Sequence, residues 1–189
     1  MIQSKEDYLY YLERDKNSLC IQRKRPRFGS DEIWRFQILL RKREYLANCK
    51  HGLFSNIYSL YYHYKFKKLS LKLGFSIPLN VFGPGLAIVH YGTIVVAGGA
   101  KIGSNCRIHE GVTIGATNGS NEAAIIGDNV FIGSGAKIIG KVRFSSNVAI
   151  AANAVVVNDV ISENGCTVGG IPAKVISNNS STANIFSLK

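Results

Sequence analysis

The glycine-rich part of the chain contains two histidines, His90 in His90-Tyr91-Gly92-Thr93-Ile94 and His109 in Arg107-Ile108-His109-Glu110-Gly111. An imidazole has an unperturbed pKa of about 6.5, which matches it to proton transfer at neutral pH. A base of this kind suits removal of a proton from an attacking hydroxyl and its return to a leaving group. Thiol and metal chemistry have less support. Cys20, Cys49, Cys106 and Cys166 are far apart, with no Cys-x-x-Cys and no tight Cys/His spacing, so no metal site is expected.

What must position the histidines is a repeat. Aliphatic or aromatic residues recur every six positions at Phe82, Ile88 and Ile94, then at Ile102, Ile108 and Ile114, and again at Ile126, Ile132, Ile138, Phe144, Ile150 and Val156. Two extra residues fall within 94–101, and a longer insertion, Ala116 to Ala124, precedes Ile126. Small or aliphatic residues such as Cys106, Val112, Val130, Ala136 and Val148 follow four places after the repeat residue. A period of six fits neither a helix nor simple strand alternation. It fits short strands separated by turns, three to a triangular coil, with coils stacked about 4.8 Å apart. Asn105, Asn129, Asn147 and Asn153 supply turn conformations that β-branched residues resist. By this count His109 lies about one coil after His90.

The chain here resembles the hexapeptide-repeat acyltransferases, whose domain is a left-handed parallel β-helix. His90-Tyr91-Gly92-Thr93-Ile94-Val95-Val96, Ile126-Gly127-Asp128-Asn129-Val130-Phe131-Ile132-Gly133-Ser134-Gly135-Ala136-Lys137 and Gly169-Gly170-Ile171-Pro172-Ala173-Lys174 are similar to the serine acetyltransferase branch. The resemblance implies acetyl-CoA as co-substrate, no metal, and a homotrimer with sites between neighbouring β-helices. It makes His90 the general base, although Gly92-Thr93 stand in the reverse of the family order. His109 is expected either to bind the acceptor or polarise the oxyanion, or to be a coil-edge residue. Gly133, Ser134, Gly135, Ala136, Ala151, Ala152, Gly170 and Lys174 are expected to line the coenzyme groove. Direct transfer in a ternary complex is preferred to an acyl-cysteine, since Cys106 occupies an inward repeat position.

Departures from the family bear on the acceptor. Its two aspartates near the catalytic histidine correspond to Phe75 and Val89 here, and the 116–124 loop lacks the family's Arg-His pair. A zwitterion left without charged partners is costly to desolvate. The expectation is therefore O-acetylation of a saccharide of capsule or lipopolysaccharide assembly, with Thr117 and Asn118 binding the acceptor. The alternatives are an L-serine O-acetyltransferase of cysteine biosynthesis and a non-catalytic β-helical scaffold. A carbonic anhydrase of related fold would need three histidine ligands.

The domain before the repeat is built differently. The 189-residue chain carries a net charge of +11, and residues 1–72 hold 16 of its 23 basic and 7 of its 12 acidic residues. Ser4 is placed to cap one helix, with Tyr8, Leu9, Tyr11 and Leu12 in an amphipathic array, and Ser30 or Asp31 to cap a second. A third helical pattern runs through Leu53, Phe54, Ile57, Leu60, Tyr61 and Tyr64 before Lys65-Phe66-Lys67-Lys68. The expected organisation is a basic α-helical region over 1–73, a mainly β, left-handed β-helix over 74–176, and a flexible tail over 177–189. No nucleic-acid motif accompanies the charge. It is read as a solvated face, or as a peripheral contact with an anionic membrane or an acidic glycan. With no export signal or membrane-length apolar run, the expected location is cytoplasmic, either free or peripheral at the inner face of the membrane.

Overall fold

The computed structural model describes residues 1–27, 29–50, 52–117 and 119–185, and the side chains of Leu53 and Phe54 fall outside that description. Three helices, α1 (Lys5–Ser18), α2 (Glu32–Cys49) and α3 (Leu53–Leu73), precede a run of short strands. In chain order these are β1 (Phe75–Ser76), β2 (Ala87–Ile88), β3 (Ile94–Val96), β4 (Lys101–Ile102), β5 (Arg107–Ile108), β6 (Thr113–Gly115), β7 (Ile125–Ile126), β8 (Phe131–Ile132), β9 (Lys137–Ile139), β10 (Arg143–Phe144), β11 (Ala149–Ile150), β12 (Val155–Val156), β13 (Thr167–Gly170) and β14 (Ala173–Ser177).

The strands form three sheets along the sides of a triangular coil, ordered β1-β3-β6-β9-β12, β4-β7-β10 and β2-β5-β8-β11-β13-β14. All pairings are parallel except that of β13 with β14. Each repeat residue stacks on its equivalent one coil away: Ile114 on Ile138, Ile138 on Val156, and Ile132 on Ile150. The stacks are sealed from water, with Ile94, Ile108, Ile114, Ile132, Ile138 and Ile150 all at 0% exposure. Full burial of such a side chain contributes about 1.5–3 kcal/mol. The Ala116–Ala124 insertion leaves the register intact, because Ile102 still pairs with Ile126.

At the corners Asn105, Asn129, Asn147 and Asn153 all take positive φ. Asn105 donates from Nδ2 to Asn129 Oδ1 at 2.8 Å, and Asn129 likewise to Asn147 at 3.0 Å. The ladder satisfies side chains that a tightly wound corner would otherwise strand.

The helices pack on the first coil, where Phe36, Leu40, Phe66 and Leu73 join the core of the β-helix. Ser4 caps α1 as expected, its Oγ accepting from Asp7 N at 2.9 Å. Asp31 sits at the N-cap of α2 without a side-chain cap bond. Its carboxylate instead accepts from the backbone N of Arg27 at 2.6 Å and from the Arg23 guanidinium. The third apolar pattern is helical, with Ile57, Leu60, Tyr61 and Tyr64 exposed, and α3 packs inward through Phe66, Ser70 and Leu73. Residues from 177, read as a flexible tail, touch the coil at Asn179, whose O accepts from Thr167 Oγ1 at 2.8 Å, and at Ser181. Ser181 is buried and its N donates to Asn147 O at 3.0 Å.

Polar side chains of the helices reach the backbone of the first coil. Arg41 donates to Phe82 O at 2.9 Å and Gly83 O at 2.7 Å, and Gln37 donates to Leu86 O at 2.6 Å. Asp15 accepts from Gly85 N and Leu86 N, both at 2.9 Å, while Glu44 accepts from Asn80 N at 2.8 Å. Arg41 also bonds Asp15 at 2.8 Å and Glu44 at 3.0 Å. Burial alone would lower the Arg41 pKa, but the two carboxylates outweigh it and hold the guanidinium charged.

Candidate active site

One corner of the coil gathers the chemistry-bearing residues. His90 follows β2, and the backbone beside it is pinned by Gly92 N to Leu73 O at 3.1 Å and by Gly111 N to Thr93 O at 2.7 Å. The same column continues through Gly135 N to Glu110 O and Asn153 N to Ser134 O, both at 2.8 Å. The corner therefore stacks His90, then His109 and Glu110, then Gly133-Ser134-Gly135, then Ala151-Ala152. Close approach explains its small residues: a Cβ on Gly133 would lie 2.7 Å from Ala152 N, and one on Gly111 3.1 Å from Gly135 Cα. Gly135 adds a φ of +73°, a conformation that glycine tolerates without strain.

The two histidine rings meet with centroids 5.7 Å apart and 63° between planes, and Phe131 packs on the far side of His109 at 5.2 Å. His90 is exposed, whereas His109 and Glu110 are half-buried. Desolvation, aided by the charge of Arg107, pushes the His109 pKa below its usual value, so this imidazole stays neutral at neutral pH. The Glu110 carboxyl is held low by its own backbone N–H and by the Ser134 hydroxyl, and is ionised there. His109 Nε2 and Glu110 Oε2 are buried without a hydrogen-bond partner. The donor atoms of His90, His109 and Glu110 lie within 4.8 Å of one another. Ligand atoms on a tetrahedral zinc with bonds near 2.1 Å sit about 3.4 Å apart, so we describe this trio as an acid–base cluster.

Glu110 was not singled out from the sequence, although it adjoins His109 in the same quoted segment. The repeat count that puts His109 one coil after His90 puts Glu110 there as well, and would have found it. The helical wall was also missed. A cleft of about 480 Å³ opens beside His90 and Tyr91, and its other side is made by Leu19, Ile21 and the start of α2, including Asp31, Glu32 and Trp34.

The other expected residues divide. Ser134 and Ala151 are half-exposed and Ala152 exposed on the histidine corner, with Gly170 and Lys174 exposed on β13 and β14 at its end. Ala136 has 0% exposure and points into the coil, because it holds the small inward position four places after Ile132. It therefore offers no side chain to a groove. Thr117 lies at a different corner, after β6, where it approaches Gly140. The neighbouring Ser120 and Asn121 line a separate cavity of about 360 Å³ with Gly98 and Gly99, so this chain does not bring that loop to His90. Asn118 lies outside the described residues. Cys106 is buried and its thiol pKa is pushed up to about 12 by desolvation, which suits an inert core residue.

No protein-family model matches the chain. A serine acetyltransferase from Synechococcus elongatus is 40% identical over 96 residues, 50% of this chain and 38% of that one. Another from Staphylococcus xylosus is 41% identical over 96 residues, 50% of this chain and 44% of its own length. The match thus spans less than half of these curated relatives. Among solved structures, the serine acetyltransferase of Brucella abortus superposes with a TM-score of 0.73 and 25% identity, covering 94% of this chain and 72% of that one. The same organism's enzyme in complex with coenzyme A superposes at 0.70 with 24% identity, covering 93% and 70%. The fold is the left-handed parallel β-helix found in hexapeptide-repeat acyltransferases. Within that class, the chain is similar in sequence and in fold to the serine acetyltransferases.

Proposed function

We propose that the protein moves an acetyl group from acetyl-CoA to a hydroxyl, with His90 as general base. The observation that carries this reading is the histidine corner: an exposed imidazole, backed by a second ring 5.7 Å away, heads a column of glycine, serine and alanine. Such a column leaves backbone amides approachable by a long, amide-bearing pantetheine arm. Ser134, Ala151, Ala152 and Gly170 would border it, and Lys174 would meet a phosphate. His90 takes the hydroxyl proton as that oxygen attacks the thioester carbonyl. When the tetrahedral adduct collapses, the C–S bond breaks and His90 returns the proton to the departing thiolate. His109 and Glu110 act as positioning residues. His109 fixes the His90 ring by packing, and the Glu110 carboxylate favours the imidazolium formed during attack.

The relatives' names point to L-serine as acceptor. Asp31 and Glu32 of the helical region line the cleft beside His90, with Asp31 paired to Arg23 and Glu32 to Lys72. An uncharged saccharide hydroxyl is the second reading, favoured by Val89 and by the lack of Arg or His in the 116–124 loop. A homotrimer with sites between the β-helices of neighbouring subunits belongs to the same proposal. Thiol release from acetyl-CoA should be measured with L-serine and with neutral oligosaccharides as acceptors. Serine-dependent release supports the first reading, saccharide-dependent release alone supports the second, and release with neither overturns the activity.

The role of Glu110 has its own test. Glu110→Gln removes a carboxylate whose ligand atom lies within 4.8 Å of that of His90, and it should lower kcat about tenfold with little change in KM, because the charge acts on the imidazolium of the transition state. An unchanged kcat would leave Glu110 no part in the proton transfer.

A further inference from the structure

We propose that α3 is a docking surface for an anionic lipid bilayer. Its outward face carries Ile57, Leu60, Tyr61, Tyr64 and Leu71, spaced i, i+3, i+4, i+7 and i+14, so they form one stripe along the helix. These side chains are bare, with Leu60 69%, Tyr64 65% and Leu71 83% exposed. Lys67 borders the stripe on one side, Lys65 and Lys72 on the other, and Lys68 lies within it. The helix contains no aspartate or glutamate. An apolar stripe flanked by lysines is the composition of helices that lie in a membrane interface, with the apolar side chains below the headgroups and the ammonium groups among them.

Spanning the bilayer is not the reading, because among the described residues no helix is long and apolar enough to cross a membrane. A second copy seated face to face on the stripe is a poor occupant. A symmetric contact through the stripe would bring the lysines of both copies together, and like charges repel. Anionic headgroups complement them. Beside the stripe, a cavity of about 510 Å³ opens between α2 and α3, lined by Leu39, Leu69, Lys65, Lys68, and the ion pair of Lys72 with Glu32 at 3.3 Å. The C-terminal end of α3 adjoins the histidine corner, since Leu73 O accepts from Gly92 N at 3.1 Å. Docking through α3 would hold His90 close to the membrane surface. The inference does not depend on the acetyl-transfer reading, and its test needs no turnover.

The experiment is vesicle flotation of the full chain with phosphatidylcholine alone and with phosphatidylcholine containing one third phosphatidylglycerol. Binding is expected only to the anionic vesicles, weakening as salt rises. The double variant Lys67→Gln/Lys68→Gln should lower partitioning roughly 10–30-fold, and Leu60→Ser/Leu71→Ser should lower it at low salt. The control Lys101→Gln/Arg143→Gln removes equal charge from the β-helix and should change it little. All these residues are exposed, so melting temperatures should stay unchanged. Absence of binding to anionic vesicles overturns the proposal, as does equal loss in the control. Loss of self-association in the leucine variant without loss of vesicle binding would assign the stripe to a second copy instead.

Discussion

Replacing His90 by alanine is expected to reduce acetyl transfer about 10²–10⁴-fold, the usual contribution of a positioned general base. The fold should survive, because His90 is exposed and the backbone beside it is held by Gly92 and Thr93 rather than by the imidazole. The loss should fall on kcat more than on KM, since the base acts in the transition state while the small-residue column that would bind coenzyme A is untouched. Thiol release with the preferred acceptor and a thermal melt of the same preparation check both halves. Transfer persisting at full rate in a folded His90→Ala variant would remove His90 from catalysis. It would also revive the non-catalytic scaffold as a reading of the β-helix.

The second large effect concerns stability. Arg41 has 0% exposure and holds Asp15 and Glu44, while Asp15 and Glu44 in turn hold backbone amides of the first coil. Arg41→Ala would leave two buried carboxylates without their cation, a loss of about 3–5 kcal/mol. For a chain of this size that lowers Tm by roughly 6–20 °C. Replacing Asp15, Arg41 and Glu44 together by leucine or methionine should not restore the difference, since the stranded charges go but the backbone groups of Asn80, Phe82, Gly83, Gly85 and Leu86 lose their partners. The measurement is thermal unfolding followed by circular dichroism. A single variant as stable as the parent would mean that the network contributes nothing net. Because the same helices wall the cleft beside His90, Arg41→Ala should also raise KM for the acceptor below its melting transition.

The β-helix was legible because its information is local and redundant. Every coil repeats the same choice, an aliphatic at Ile108, Ile132 or Ile150 and a small inward residue such as Val112, Ala136 or Ala154, so insertions at 94–101 and 116–124 could not hide the register. His90 stood out as one of two histidines in that frame and through the resemblance of His90-Tyr91-Gly92-Thr93-Ile94-Val95-Val96 to the family motif. The helices carry no such redundancy. In α3 both faces are apolar, and spacing alone could not tell that Phe66 and Leu73 go inward while Leu60 and Tyr64 stay outside. Long-range pairs are less visible still: Asp15 with Leu86, or Asp31 with the cleft at His90, join residues dozens of positions apart. Ala136 failed as a groove residue where two local rules competed, and burial in the coil prevailed.

The polar contacts of α1 and α2 with the first coil have a further meaning. A stack of parallel strands ends in a row of unpaired backbone groups, an open template onto which another strand can add. Here Gln37, Arg41, Asp15 and Glu44 occupy the hydrogen-bonding positions around Phe82, Gly83, Gly85, Leu86 and Asn80 that a preceding coil would fill. The helical region thus serves as a terminator. It ends the solenoid with side chains instead of strands, and so protects this protein from growing end to end into fibres.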